Sequence, residues 1–404
     1  MRKVYVAIIL FFIACMPYAR AQCPAGRYDT ELFSAVTVDS VVYSTPYSLK
    51  MDIYQPSGDT LSRRPVIILA HGGSFVGGTR EDDPAVDTLC LRFAKRGYVT
   101  ASIDYRLGDP LSMISADSSY AVDEVIKAIS DGKAAIRYFM KDAATTNTYK
   151  IDTNKIFIGG NSAGAVLYMH VGYIADTTAC PSYIRTAMDA NGGFDGNSGN
   201  PGYTARSKAI INLAGGLNET SFVQPGGEPS VNAQGSEDSV VPYTCGYPDL
   251  SGPAIVHVKL CGLGSLEPVY VANGIYHSSY VFPGDGHVPW DEDALKMNTV
   301  DSLVNVFLYS MVCTAVSSTV AINANTEISL FPNPANEAVT LHSSATVQNI
   351  LIYDETGRTV LQATGINKES YEVNIAQLIK GIYFMKVTFV NGNNTPLVKR
   401  IMVE

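Results

Sequence analysis

The stretch Lys155-Ile156-Phe157-Ile158-Gly159-Gly160-Asn161-Ser162-Ala163-Gly164 constrains the fold more than any other part of the chain. Ile156, Phe157 and Ile158 form a short apolar run ahead of paired glycines, which predicts a buried strand. Ala165 to Val171 continues as a mostly apolar helix. Between them Gly160-Asn161-Ser162-Ala163-Gly164 fits G-x-S-x-G. Strand, tight turn and helix is the setting in which a serine is lifted on a strained elbow with its hydroxyl exposed. The outer glycines then have a steric reason, because side chains there would run into the neighbouring strand and helix. Taken alone the pentapeptide also fits a glycine-rich turn with a capping serine, so its weight depends on the rest of the chain.

That remainder alternates between strands and helices. Val36-Thr37-Val38 and Leu49 to Tyr54 alternate in polarity and predict an antiparallel hairpin at a sheet edge. Pro65 to Ala70 is a fully apolar strand ending in His71-Gly72-Gly73-Ser74-Phe75. A helix follows from about Pro84 to Arg96, with Gly97 placed to end it. Tyr98 to Ile103 is the next strand, and Ala121 to Lys141 is a long helix whose apolar residues recur at three and four. Ile210 to Ala214, Ser230 to Ala233 and Tyr280 to Phe282 supply further strands, and Asp293 to Val312 a closing helix. This order predicts an α/β, doubly wound, mostly parallel sheet with helices on both faces. In such sheets ligands bind outside the carboxyl ends of strands. His71-Gly72-Gly73, Ser162, Asp238 and His287 all follow strands.

Thr314 to Thr326 is rich in Ser, Thr, Asn and Ala and reads as a linker. Beyond it the pattern turns to period two, in Ile328-Ser329-Leu330-Phe331, Val339 to His342, Ile350 to Tyr353, Tyr371 to Val373, Tyr383 to Val387 and Lys399 to Val403. Turn signals at Asp354-Glu355-Thr356-Gly357 and Asn391-Gly392 separate these runs, which predict a small C-terminal all-β sandwich. The expected organisation is a signal peptide over 1–21, a catalytic domain over 22–313, a linker over 314–326 and the β domain over 327–404. Few core contacts are expected to cross the last boundary.

Arg2-Lys3, the apolar run Val4 to Ala14 and Ala19-Arg20-Ala21 have the order of a secretory leader, with lipid attachment at Cys15 as the alternative. The apolar run is too short to span a membrane, and no second candidate span occurs. Losing Arg2, Lys3 and Arg20 with the leader takes the formal charge from -9 to -12. An acidic chain without a basic cluster argues against nucleic acid or an anionic membrane surface as the main partner. Six of the seven cysteines lie beyond the leader, which permits disulfides in an exported chain. Cys245 and Cys261 are the expected pair, and Cys90 fits a buried thiol. No cysteine–histidine cluster has metal-ligand spacing, so neither metal nor cofactor is expected.

A serine hydroxyl is a weak nucleophile until a base takes its proton, and the base needs an orienting carboxylate. Downstream of Ser162 the chain offers Asp238 and then His287, in the order Ser, Asp, His. Glu237 is the alternative acid. Backbone N–H groups are needed for the developing oxyanion; Ala163 is one candidate, and Gly72 or Gly73 the other. His71 reads as a prop for the glycine loop, and Asp104 and Arg106 as a structural pair near the site. The segment Gly192 to Gly227 is expected to shape an acyl pocket, whereas Trp290 fits a substrate wall or ordinary packing equally well.

Residues from about 30 to 313 resemble the α/β-hydrolase esterase and lipase family, especially secreted bacterial carboxylesterases. The resemblance is carried by His71-Gly72-Gly73, Asp104-Tyr105-Arg106-Leu107, Gly160-Asn161-Ser162-Ala163-Gly164 and the Asp238 and His287 loops. Ser74 stands where that family often has a third glycine. Residues from about 326 to 404 are similar to the C-terminal sorting domain of type IX secretion. The matching pieces are Phe331-Pro332-Asn333-Pro334-Ala335, Ile352-Tyr353-Asp354, Gly357-Arg358, Lys380-Gly381-Ile382-Tyr383-Phe384 and Lys399-Arg400-Ile401. Together they imply an ester hydrolase working through an acyl-enzyme, exported via the periplasm to the surface or medium, with an ester substrate and the type IX machinery as partners. A prolyl-peptidase-like enzyme and a surface binding protein on a hydrolase fold are the rival expectations.

Overall fold

The computed structural model describes residues 23, 26–115, 118–178, 180–249, 258–313, 328–354, 358–390 and 397–403. The expected leader and linker lie outside them, as do residues 355–357 and 391–392 of the two β-domain turns. The strands of the first region are β1 (Val36–Ser44), β2 (Leu49–Pro56), β3 (Arg64–Ala70), β4 (Val99–Ile103), β5 (Ile151–Asn161), β6 (Ala209–Leu213), β7 (Ser230–Gly235), β8 (Cys245–Gly246), β9 (Leu260–Cys261) and β10 (His277–Phe282). Its helices are α1 (Pro84–Lys95), α2 (Pro110–Ser115), α3 (Ser118–Ala144), α4 (Ala163–Tyr173), α5 (Ser182–Ala190), α6 (Leu263–Ala272) and α7 (Ala294–Cys313).

Eight strands form one sheet in the order β1-β2-β4-β3-β5-β6-β7-β10. The hairpin β1–β2 is antiparallel and joins antiparallel to β4, and every pair from β4 onward is parallel. Alternation along the central strands divides the core into two layers. Val66, Ile68 and Ala70 of β3, with Ile156 and Ile158 of β5, face one apolar cluster together with α3 and α4. Ile67, Leu69, Phe157 and Ile211 face the other, with α1 and α7. Helix α4 lies directly behind the elbow and is buried at nearly every residue, which explains why its sequence is apolar all round.

Caps and ion pairs fix the outer helices. Asp83 caps α1 by accepting from Ala85 and Val86 N–H, with Pro84 at the first position. Buried Arg96 binds both Asp301 oxygens, at 2.6 and 2.7 Å, and ties the end of α1 to α7. Cys245 and Cys261 are bonded as expected, closing the small β8–β9 ladder. Cys23 and Cys313 form a second disulfide that fastens the start of the region to the end of α7. No local pattern announced that pair, because its halves are 290 residues apart. Cys90 is a buried free thiol.

The second region holds β11 (Ile328–Phe331), β12 (Ala338–Asp354), β13 (Thr359–Asn374), β14 (Gly381–Phe389) and β15 (Leu397–Val403), all paired antiparallel. The two short strands expected at 339–342 and 350–353 are parts of one long strand, β12, interrupted by register shifts between His342 and Asn349. Its first half pairs with β11 and its second with β14, while β13 follows both. The strand pairs thus fold over a common core of Val339, Leu341, Ile350, Ile352, Met385 and Ile401.

Contacts across the boundary exceed the expectation. Phe384 is 5% exposed and joins the cluster of α1 and α7, with Ile382 and Val398 packed beside it. Its ring centroid lies 6.4 Å from that of Tyr280 on edge strand β10, and Arg400 Cζ stands 5.9 Å above the same Tyr280 ring. Lys386 Nζ lies 5.2 Å from the Tyr309 centroid, and burial holds its pKa below the usual lysine value. The β domain therefore rests against Tyr280 of β10, the edge strand of the large sheet. Replacing Phe384 with Asp should put a charge into that contact and split the thermal unfolding of the whole chain into two calorimetric transitions. A single transition at the wild-type temperature would contradict this packing.

Candidate active site

Strand β5 delivers Ser162 to the carboxyl edge of the sheet, and α4 begins at the next residue. Ser162 has φ 52° and ψ −116°, a conformation disfavoured for any residue with a side chain. Its N–H is held by the Leu213 carbonyl at 2.8 Å, and its carbonyl accepts from Val166 N–H at 2.9 Å. The motif glycines permit this approach. A Cβ on Gly160 would stand 2.3 Å from the Ala70 carbonyl oxygen, and one on Gly164 only 2.0 Å from it.

Two separate loops bring a continuous hydrogen-bonded chain to this serine. Ser162 Oγ lies 2.7 Å from His287 Nε2, and His287 Nδ1 lies 2.8 Å from Asp238 Oδ2. A carboxylate opposite Nδ1 places the ring proton there, which leaves Nε2 as an acceptor for the hydroxyl. The Asp238 side chain is fully buried, and its second oxygen accepts Val241 N–H at 3.0 Å. Glu237 is exposed and turned away, its N–H bound to the Asp285 carbonyl. Gln234, at the end of β7, had no motif to mark it. Its amide nitrogen donates to Asp238 Oδ2 at 3.1 Å and to the Val241 carbonyl at 2.7 Å, while its oxygen accepts Leu263 N–H.

The glycine loop following β3 faces the serine from the other side. A Cβ on Gly72 would meet Ser162 Cβ at 3.3 Å. The Gly72 N–H is already committed to Asp83 Oδ2 at 2.8 Å, so of the two glycines Gly73 is the one with an N–H left to offer. Gly73 has φ 111°, and a Cβ there would stand 2.1 Å from the Gly77 carbonyl oxygen. Ala163 is the first residue of α4, where an N–H has no carbonyl one turn back in its own helix. His71 props this loop. Its Nδ1–H donates to the Gly72 carbonyl at 2.6 Å, and its ring stacks on Tyr105 at 4.3 Å. Tyr105 Oη donates to the His71 carbonyl. Asp104 and Arg106 do not pair with each other. Asp104 binds Arg80 at 3.0 Å, and Arg106 binds Asp131 of α3 at 2.9 Å, beyond the end of β4 where strand alternation no longer sets side-chain direction.

Two cavities meet at Ser162. One, of about 90 Å³, is walled by apolar groups of α3 and α4, including Val122, Ile126, Ile129 and Val166. Of the segment 192–227, only Asn218 lines it; Tyr183 and Ile184 of α5 take the place expected for that segment. Buried His170 also reaches it, with burial lowering its pKa to about 4, so the imidazole is neutral. The other cavity, of about 320 Å³, is polar and includes His287, Thr79, Asp82, Asp83 and Asp291. Trp290 belongs to neither. It is 1% exposed and donates from Nε1 to Asn161 Oδ1 at 3.1 Å, which identifies it as packing. Among the described residues no group of three or more His, Cys, Asp or Glu could hold a metal ion, and no helix is long and apolar enough to cross a membrane.

Asp291 carries a charge problem. Burial first, and the nearby Asp83 carboxylate second, raise its pKa from 3.8 to about 6. Between these values the folded protein keeps a proton that the unfolded chain has lost, so stability falls as pH rises through this window and remains lost above it. Asp291→Asn removes the penalty. It should melt above wild type at pH 8, with the advantage shrinking towards pH 4; the side chain is only partly buried, so screening keeps the gain small. Equal melting temperatures at pH 8 would contradict the assignment.

Comparison with known proteins agrees with this architecture. Residues 51–218 match the BD-FAE family, and residues 329–404 match the secretion system C-terminal sorting domain. A rice protein named "Probable isoprenylcysteine alpha-carbonyl methylesterase ICME" is 28% identical over 218 residues, covering 54% of this chain and 43% of that protein. "Probable carboxylesterase 7" of Arabidopsis thaliana is 25% identical over 140 residues, 34% of this chain and 42% of the relative. The chain thus spans less than half the length of these relatives. Apo Thermogutta terrifontis esterase 2 has the same fold, with a TM-score of 0.50 and 19% identity over 69% of this chain and 96% of its own. The chain combines an α/β-hydrolase esterase domain, matched to the BD-FAE family over residues 51–218, with a C-terminal sorting domain that addresses it to type IX secretion, and so to the cell surface or the extracellular space.

Proposed function

We propose that the chain is an exported serine hydrolase that cleaves carboxylic esters through an acyl-enzyme. Its parts are a leader over 1–21, a catalytic domain over 22–313, a linker over 314–326 and the sorting domain over 327–404. The observation that carries the reading is the unbroken chain from Ser162 Oγ through His287 to Asp238, at 2.7 and 2.8 Å, at the junction of an apolar and a polar cavity.

Ser162 Oγ attacks the ester carbonyl carbon as His287 Nε2 takes the hydroxyl proton. Asp238 holds the imidazole by Nδ1–H and stabilises the imidazolium. The tetrahedral oxyanion receives the N–H groups of Ala163 and Gly73. Collapse breaks the bond to the alcohol oxygen, which leaves with the proton from His287. Water then repeats the sequence on the acyl-enzyme, with His287 as its base, and frees the acid and Ser162.

The two cavities give the ester a direction. The leaving alcohol must lie beside His287, which lines only the polar cavity, so the acyl group occupies the apolar one. A small apolar acyl group on a hydrophilic alcohol fits both. Ser162→Ala should lower kcat on nitrophenyl esters on the order of a million-fold, and Asp238→Asn about ten thousand-fold. Hydrolysis by Ser162→Ala within about tenfold of wild type would remove the assignment.

A further inference from the structure

Asn161 immediately precedes Ser162 and is 2% exposed. Its oxygen accepts from Trp290 Nε1–H at 3.1 Å. Its nitrogen lies 3.2 Å from both Asp83 oxygens and 3.2 and 3.3 Å from those of Asp291. Asp83 in turn holds the Gly72 N–H and the first turn of α1. Trp290 and Asp291 follow His287 in the same loop. The oxyanion-side loop, the elbow and the histidine loop therefore converge on one side chain.

That convergence is electrically asymmetric. An amide nitrogen has two hydrogens, and here four carboxylate oxygens surround it. Asp291 faces Asp83 from the start of α1, neutral Asn161 from the elbow, and His287 and Glu292 from its own loop, while Asp82 lines the same cavity. Carboxylates this close repel one another, and the Asn161 amide is the donor that holds them together from the elbow.

We propose that Asn161 is a positioning residue that keeps the oxyanion-side loop and the His287 loop in register about Ser162 by holding the Asp83 and Asp291 carboxylates together. The inference rests on the triad reading above. An Asp at position 161 would bring a third negative charge into the cluster, whereas the Asn161 amide supplies hydrogens that bridge the two acids from the elbow. Loss of the bridge lets the two loops shift independently, and misplacement on the scale of 1 Å costs about a hundredfold in rate.

The test is kcat and KM on nitrophenyl butyrate for the full chain, wild type against Asn161→Ala, Asp291→Ala and Asp291→Asn. Asn161→Ala should lower kcat roughly a hundredfold with KM little changed, because the alignment it loses matters chiefly in the transition state. Asp291→Ala takes away the acceptor on the His287 loop and should lower kcat roughly tenfold, whereas Asp291→Asn keeps an amide oxygen for Asn161 and should stay within about twofold of wild type. Melting curves identify a variant that fails to fold, and the comparison of Asp291→Ala with Asp291→Asn then carries the test. A folded Asn161→Ala or Asp291→Ala with wild-type kcat overturns the proposal. A fluorophosphonate probe separates this from the triad reading. Failure to label Ser162 in wild type overturns both, whereas labelling with unchanged kcat in these variants overturns only the role of the cluster.

Discussion

The close approach of the G-x-S-x-G turn to β3 is the constraint on which the site depends. Gly160 and Gly164 let the turn press against the Ala70 carbonyl, at distances no Cβ could share. That contact holds Ser162 at positive φ with its hydroxyl at the sheet edge. From there the other groups need only short loops. His71 to Gly73 leave β3, Asp238 follows β7, and His287 follows β10, all neighbours or near neighbours in one parallel sheet. Strain at one residue is thus supported by the best-buried part of the fold, where Ile67, Ile68, Phe157 and Ile158 are at most 1% exposed.

Much of this was legible because it is local or periodic. The apolar runs of β3, β5 and β6, the repeat along α3, and the order of Ser162, Asp238 and His287 needed no knowledge of distant partners. Features defined by contacts at long range were not legible. Cys23 meets Cys313 across nearly the whole hydrolase region. Arg106 looks in sequence like a partner for Asp104, but the backbone turns it towards Asp131. The Gly72 N–H looked available until Asp83 reached it. Helices α5 and α6 were missed because one is short and the other carries Pro268 inside it. The strand β12 was split in two because its bulges interrupt the alternation.

The sorting domain is more than a tail hanging from a linker. Phe384 and Arg400 lie against Tyr280 on β10, the open edge of the large sheet. An uncovered edge strand offers unpaired N–H and C=O groups to other chains. The same domain that addresses the protein for export therefore also packs on a side chain of that edge strand while the two remain joined.

The central claim is that Ser162 becomes covalently acylated during turnover. Rapid mixing of the enzyme with excess nitrophenyl butyrate, quenched with acid and read by intact and peptide mass spectrometry, observes that step directly. The account predicts one butyryl group per chain on the peptide containing Ser162, appearing with an initial burst of nitrophenolate and absent from Ser162→Ala. Turnover with no adduct and no burst under conditions where deacylation is slowed, or an adduct on another residue, would contradict it.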